Sequence, residues 1–257
     1  MRARFYGGVM AAATLLAVTG CGSDGGGGEL DLASEGTLTV CSDVPYPPFE
    51  VQQGGSYSGF DIDLMREIAR GLGLSMAVQD VGFDGLQSGA SLAAGQCDIG
   101  ASAMTITAER EKNIDFSAPY YNSQQSLLVP GGSPVGSIAD LAGMKVGVQQ
   151  GTTGKLYAEQ NTPAGTELIA YPSDAELYAA IQAGNIEAIL QDLPVNVQHT
   201  RQGDFEIVQT FQTEEAYGFA VEEEGKEALL RQVNTQLRQL RQSGRYQQVF
   251  DKYFATN

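Results

Sequence analysis

Short apolar runs alternate with amphipathic stretches along most of the chain. Residues 38–42 form the first β run, followed by the turn-rich Asp43-Val44-Pro45-Tyr46-Pro47-Pro48. The polar, glycine-containing segment 52–58 reads as a hairpin or loop. Ile62, Met65, Ile68 and Ala69 recur at the spacing of one helix face, and Gly71 and Gly73 end that helix. Residues 75–78 predict a strand. Asp84 is placed to cap a helix running through Leu86 and Leu92 to Gly95. Residues 98–104 are a strand of small side chains, Thr107 caps the next turn, and 126–129 are a further strand.

The rhythm then repeats. Ser137 with Asp140 resembles a capping box. Residues 145–148 predict a strand, and Thr152 and Thr153 open a helix through Leu156 and Tyr157. Residues 167–170 form the next strand. Ser173 with Glu176 makes a second capping box for a helix through Leu177, Ala180 and Ile181, stopped at Gly184. Residues 186–190 lead into Gln191-Asp192, and 205–208 and 217–221 are further β candidates. Residues 226–242 are amphipathic at helical spacing, with Leu229, Leu230, Val233, Leu237 and Leu240 on one face. A shorter helix covers 246–254.

Alternating strands and helices predict α/β layers with mostly parallel sheets. Ligands in such sheets bind beyond the carboxyl ends of strands, near helix amino termini. Four segments meet that rule: 42–49, 102–110, 149–154 and 191–192. Gly151-Thr152-Thr153 offers backbone N–H groups at a helix start, which favours an anion such as a carboxylate. Arg110 suits a bidentate pair with the same carboxylate. Asp192, after a hydrophobic strand, suits an ammonium group, and Ser102 and Thr105 add oxygens. Tyr46, Phe49 and Phe83 supply aromatic walls. One Arg, one Asp and several hydroxyls together describe a receptor for a zwitterion. Spacing leaves plainer readings open. Arg110 equally suits a surface helix residue paired with Glu111 or Asp115. Thr153 suits a simple cap, Tyr46 and Phe83 suit the core, and Asp192 suits a turn. His199 reads as a solvated loop residue, and glutamates 222–224 as a solvated run.

Composition narrows the classes. The chain carries 31 Asp and Glu against 15 Lys and Arg, for a net charge of −16. Nucleic acid is excluded as a partner, because phosphate recognition needs a basic face. One His and three scattered Cys leave no metal-ligand cluster and no base for a His-dependent triad, so neither metal nor cofactor is expected. The stretch from Gly147 to Lys155 departs from a phosphate-binding loop in glycine spacing, and Leu156 stands where Ser or Thr is needed.

The amino terminus reads as an address. Arg2 and Arg4 precede an apolar run over 9–18, the layout of an export signal and too short to span a bilayer. Val18-Thr19-Gly20-Cys21 resembles a bacterial lipobox, which predicts a signal peptide over 1–20 and lipid on Cys21. A plain secretory signal with an incidental Cys is the alternative. Residues 21–35, with glycines 25–28, form a flexible tether. Cleavage would remove two arginines and no acid, taking the charge from −16 to −18. Cys41 and Cys97 would remain. An oxidising compartment permits a disulfide between them, but the strand register that decides it stays open.

A series of ordered motifs carries a resemblance. They are Asp43-x-x-Tyr46-x-Pro48-Phe49-Glu50, Gly59-Phe60-Asp61-Ile62-Asp63-Leu64, Phe83-Asp84-Gly85-Leu86, and Cys97-Asp98 leading into Met104-Thr105-Ile106-Thr107-x-x-Arg110. Asp115-Phe116-Ser117-x-Pro119-Tyr120, Val146-Gly147-Val148-Gln149-x-Gly151-Thr152-Thr153 and Gln191-Asp192 follow. From about residue 36 to 254 the chain resembles the family-3 extracellular solute-binding proteins, polar amino-acid receptors of ABC importers. The resemblance implies a two-lobed periplasmic-binding-protein fold of type II. Each lobe is a mostly parallel sheet flanked by helices, and two crossover strands join them. One lobe would comprise 36–123 plus 218–257 and the other 124–217, closing on ligand like a hinge.

Roles follow residue by residue from that resemblance. Arg110 and Thr153 would hold an α-carboxylate, with backbone N–H groups near Ala103, Thr152 and Thr153. Asp192, Ser102 and Thr105 would take the α-ammonium, and Tyr46 and Phe83 would sandwich the side chain. Asp43, Gln149 and Gln191 would read its tip, a net-acidic set that ranks basic or amide side chains above acidic ones. Ala103 and Gly154 stand where some relatives carry polar side chains. The implied partners are an amino-acid ligand, permease subunits in the membrane, and the membrane itself through the lipid at Cys21. A monomer on the outer or periplasmic side of the cell membrane is the family expectation. Two other roles on this scaffold are a sensing domain for a signalling receptor and a periplasmic cyclohexadienyl- or arogenate-type dehydratase. Glu50 and Asp43 are the acids available to the latter.

Overall fold

The computed structural model describes residues 1–3 and 30–255. The expected lipidation site at Cys21, the signal segment from residue 4 onward and most of the tether lie outside these residues. In chain order the strands are β1 (Thr37–Ser42), β2 (Val51–Gln53), β3 (Ser56–Ser58), β4 (Ser75–Asp80), β5 (Ile99–Gly100), β6 (Ile114–Phe116), β7 (Tyr121–Pro130), β8 (Lys145–Gln149), β9 (Glu167–Tyr171), β10 (Ala188–Asp192), β11 (Phe205–Tyr217) and β12 (Ala220–Glu222). The helices are α1 (Phe60–Gly71), α2 (Phe83–Gln87), α3 (Ala90–Ala93), α4 (Thr153–Asn161), α5 (Asp174–Gln182), α6 (Leu193–Gln202), α7 (Glu227–Gln242) and α8 (Arg245–Phe254).

Two five-stranded sheets organise the chain, in the orders β4-β1-β5-β12-β6 and β11-β7-β10-β8-β9. Both are mixed. β1 pairs parallel with β4 and β5, while β12 pairs antiparallel with β5 and β6. In the second sheet β8 pairs parallel with β9 and β10, while β7 runs antiparallel to β10 and β11. Four of the five strands in each sheet nonetheless run the same way, as the mostly parallel reading expects, with β12 and β7 the reversed strands. A strand that re-enters a sheet from the other lobe can arrive antiparallel without a covering helix.

Alternate residues of the second sheet face two different cores. Leu127, Val129, Val146, Val148 and Leu190 pack on one side with Leu141 and Ala158. Leu128 and Ile189 pack on the other with Leu177, Ile181 and Ile186. Burial on both faces is what makes these strands near-continuous apolar runs. The first lobe buries Leu38, Val40 and Ile99 against α1 and the apolar face of α7, with Leu229, Val233, Leu237 and Leu240 all in the core. Each such leucine contributes about 1.5–3 kcal/mol in removal from water. An aromatic group of Phe49, Phe60, Tyr121 and Phe254 joins α1 and α8 to the start of β7, with centroids 5.0 to 6.3 Å apart.

Several expected elements differ. The helix proposed from Asp84 to Gly95 is broken into α2 and α3, and Asp84 makes no side-chain cap. Gly89 sits at φ 82°, and a Cβ there would lie 2.9 Å from Ile114 and 3.0 Å from the Asn113 carbonyl. The strand expected over 98–104 is only two residues long, because Ala103 turns to φ 44°. The segment after Asp192 is a helix, not a turn, with Pro194 in its first turn where a missing N–H costs nothing. The capping threonine and serine of α4 and α5 act as read, accepting from the N–H groups of Lys155 and Glu176.

Cys41 and Cys97 are joined by a disulfide, with Cα atoms 5.6 Å apart. Cys41 lies in β1 and Cys97 just before β5, its parallel neighbour. Among the described residues no helix is long and apolar enough to cross a membrane.

Candidate functional site

The ends of β1, β5, β8 and β10 converge where the two lobes meet, around a small, tightly closed cavity. Asp43, Tyr46, Phe83, Ser102, Ala103, Thr105, Arg110, Gln149, Thr152, Thr153 and Asp192 line it. Phe49, expected as an aromatic wall, is instead fully buried in the core of the first lobe, and Gln191 is not in the wall either. Its amide instead donates to Asp174 and Asn196, both at 3.0 Å, inside the second lobe. Successive residues of a strand point to opposite faces, so Asp192 and Gln191 cannot both face the ligand space.

Arg110 is 5% exposed and stands in a 3-10 turn after Thr107, whose hydroxyl accepts its N–H at 3.2 Å. Its guanidinium donates to the carbonyls of Thr105 at 2.7 Å and Gly151 at 3.0 Å, and lies 5.2 Å over the Phe83 ring. Neither Glu111 nor Asp115 pairs with it, and among the described residues no carboxylate lies within 4.0 Å of it. Burial pulls its pKa down to about 10, opposed by the fields of Asp192 and Glu215. A buried cation without an ion-pair partner is costly unless an anion completes it.

Asp192 closes the opposite side. Its Oδ2 accepts from the hydroxyls of Tyr46 at 2.8 Å and Tyr217 at 2.6 Å, and its Oδ1 from Gln125 at 2.6 Å. Burial and the neighbouring Glu215 push its carboxyl up to about 7 despite those three donors. At the far end Asp43 accepts from Gln149 Nε2 at 2.6 Å, a bond from lobe to lobe, and its N–H donates to Ser102 Oγ at 3.1 Å. Burial, with Asp80 and Asp174 nearby, pushes Asp43 up to about 7 as well.

The helix start contributes what its geometry allows. The hydroxyl of Thr152 accepts from Lys155 N and donates to Gln149 O, so it is occupied as a cap. The N–H groups of Thr153 and Gly154 belong to the first turn of α4 and have no intrahelical acceptor. A Cβ at Gly154 would stand 2.8 Å from Gln125 Oε1 and 3.3 Å from the backbone of Gln191, so the chain passes there only as glycine. The expected help from the Ala103 N–H is absent. It donates to Asp61 Oδ2 at 2.9 Å, which also accepts from Tyr120 at 2.5 Å. Close to Asp61 lies fully buried Glu50, whose carboxyl is pushed well up by burial and by the charge of Asp61.

Sequence reading missed several participants. Glu215, Gln125 and Tyr217 tie the site to the crossover strands, and nothing in their spacing marks them. His199 is a correction: it is 2% exposed on α6, bonded to Asp174 at 2.8 Å and stacked on Tyr178 at 4.1 Å. Among the described residues no group of His, Cys, Asp and Glu could hold a metal ion.

The model of the bacterial extracellular solute-binding proteins, family 3, matches residues 38–256. The chain belongs to that family. A probable histidine-binding protein of Neisseria gonorrhoeae is 32% identical over 257 residues, covering 95% of this chain and 93% of that one. An ancestral arginine-binding protein bound to glutamine superposes with a TM-score of 0.81 at 33% identity, covering 87% of this chain and 100% of the other. An ancestral amino acid-binding protein, a precursor of cyclohexadienyl dehydratase, superposes with a TM-score of 0.79 at 35% identity, covering 85% and 96%. The family 3 fold is the two-lobed type II arrangement seen here, with the cavity at the lobe junction.

Proposed function

We propose that the protein captures a polar L-amino acid with a basic or amide side chain and delivers it to a permease of an ABC importer. The observation that carries this reading is the pairing of charges in one closed cavity. A buried Arg110 without an ion-pair partner faces a buried Asp192 across the space a zwitterion would fill. Arg110 and the first-turn N–H groups of α4 would hold the carboxylate, and Asp192 the ammonium. Tyr46 and Phe83 would flank the side chain, with Asp43 and Gln149 at its tip. The acids at that end and the histidine, arginine and glutamine named in the relatives support a basic or amide ligand. Ligand on one lobe would be completed by the other, so binding favours the closed form by differential affinity.

The dehydratase reading gains no support from Glu50, which lies sealed behind Asp61 and outside the cavity wall. We read the protein as exported and held at the membrane by lipid on Cys21, with residues 36–123 and 218–257 as one lobe and 124–217 as the other, acting as a monomer. A Cys21→Ser protein is expected in the soluble fraction, and its retention in membranes would end the lipid-anchor reading.

The test of the binding function is a thermal-shift screen against all twenty amino acids. Only ligands that prefer the native state raise the midpoint, and a hundredfold excess over Kd adds about 2.7 kcal/mol of stability. A rise with arginine, lysine, histidine or glutamine is expected, and it should vanish in Arg110→Ala while the unliganded midpoint holds. A flat response to all twenty would sink the proposal.

A further inference from the structure

We propose that Glu215 is a positioning residue of the binding site: by taking the hydroxyl protons of Thr105 and Thr153, it leaves both oxygens as acceptors for the ligand's α-ammonium group. The inference rests on the amino-acid reading above and deepens it.

Glu215 reaches the site through an irregularity in β11. Phe211 stands opposite Gln125 of β7, and Glu215 stands opposite Ser123. β11 therefore spends four residues where β7 spends two. Glu214 within this bulge sits at φ 51°, in the left-handed region that strains a glutamate backbone. Bulges re-aim side chains near functional sites, and this one turns the Glu215 carboxylate inward to 8% exposure.

Three elements meet at that carboxylate. Thr105, from the turn after β5 in the first lobe, lies with its hydroxyl 3.2 Å from Glu215 Oε2. Thr153, from the start of α4 in the second lobe, lies 3.1 Å from the same oxygen. Gln125 Nε2 donates to both carboxylate oxygens, at 3.2 and 3.0 Å, and also to Asp192. Among the described residues no Lys, Arg or His lies within 4.0 Å of Glu215.

Proton counting then decides the polarity of the wall. A hydroxyl has one proton and two lone pairs, and an ionised carboxylate only accepts. Both threonine protons are drawn to Glu215, so the 3.4 Å contact between the two hydroxyls carries none. Thr105 and Thr153 line the cavity, and Glu215 does not. The surface they present is thus two lone-pair oxygens, which attract the three donors of an ammonium and repel a carboxylate. The Thr153 hydroxyl accordingly moves from the carboxylate side, where the family resemblance put it, to the ammonium side. The carboxylate keeps Arg110 and the N–H groups of α4. Because the two hydroxyls come from different lobes, the arrangement exists only when the lobes are closed.

The test compares L-arginine with 5-guanidinopentanoate, its des-amino counterpart, by calorimetry on the folded protein. L-glutamine and its des-amino acid replace them where the wild type prefers glutamine. Glu215→Gln is expected to shrink the preference for the amino form by about tenfold, the worth of one hydrogen bond to a charged group. In a Thr105→Val, Thr153→Val background the same change should alter the ratio by less than about twofold, because the effect passes through those hydroxyls. An unchanged ratio in Glu215→Gln, or an effect undiminished in the valine background, overturns the proposal. If Glu215→Gln does not fold, the valine pair alone reads the same quantity, and a wild-type ratio there overturns it equally. A wild type that binds none of the twenty amino acids would instead fell the amino-acid reading itself.

Discussion

Arg110 and Asp192 owe the roles proposed for them to burial as much as to charge. Each is almost fully removed from water, so each needs a partner that the protein itself only partly supplies. Asp43 gives the sharpest residue-level prediction. Burial and its acidic neighbours raise its carboxyl from the ordinary range to about 7. The folded, unliganded protein then binds that proton more tightly than the unfolded chain does. Its stabilising contribution is complete below about pH 4 and is lost as pH rises through 7. Binding of a cationic side chain runs the other way, because it favours the ionised form. Arginine affinity is expected to rise between about pH 5.5 and 8, by at most about tenfold per unit for one group. Asp192 titrates in the same window and adds a slope shared by every amino acid. In Asp43→Asn the arginine slope should fall to that of glutamine, measured by calorimetry across pH; a slope unchanged by the substitution would remove Asp43 from the cation site. Residues of this kind were legible because their types are chemically specific and their motifs ordered. Gln191 and His199 were misread because side-chain direction depends on strand phase and on an unrecognised helix, and neither shows in residue type.

At the scale of elements, the joints between strands and helices do the positioning. The helix caps at Thr152 and Ser173 and the glycine stops were legible, because caps are local chemistry, whereas Ser137 makes no such cap. The break at Gly89, the turn at Ala103 and the bulge before Glu215 were not, because each is set by contacts with distant segments. The disulfide between β1 and the start of β5 belongs to this scale. It closes a loop of 56 residues in sequence separation, worth about 4 kcal/mol in chain entropy on that account. Cys41→Ala with Cys97→Ala should therefore lower the denaturant midpoint markedly without changing the fold. Ligand affinity should fall with it, since Asp43 bonds Ser102 across the ends of the same two strands. A midpoint within error of the wild type would show that β-sheet packing alone holds them.

For the whole molecule, net charge sets the approach of ligand. A formal charge of −16 surrounds a cavity whose own far end is acidic. Arginine should associate more slowly as salt rises from about 20 to 200 mM, as the Debye length shortens, whereas glutamine should change by less than about twofold. Stopped-flow fluorescence of the site tyrosines reads both rates, and equal salt dependence would mean that the field plays no part. The two-lobed topology was legible through ordered motifs, while the mixed character of both sheets followed only from how the chain re-enters them. That re-entry has a bearing on the order in which the lobes can close. The central strand β5 is flanked by β1 from one end of the sequence and β12 from the other, and the core beneath needs α7 and α8. A chain that emerges amino end first cannot seal this lobe until residues 220–254 have arrived. The β7–β11 sheet, by contrast, is complete in one continuous stretch and is free to fold while the earlier lobe still waits. The topology thus lets the second sheet close before the first, the reverse of the order in which the two begin to emerge.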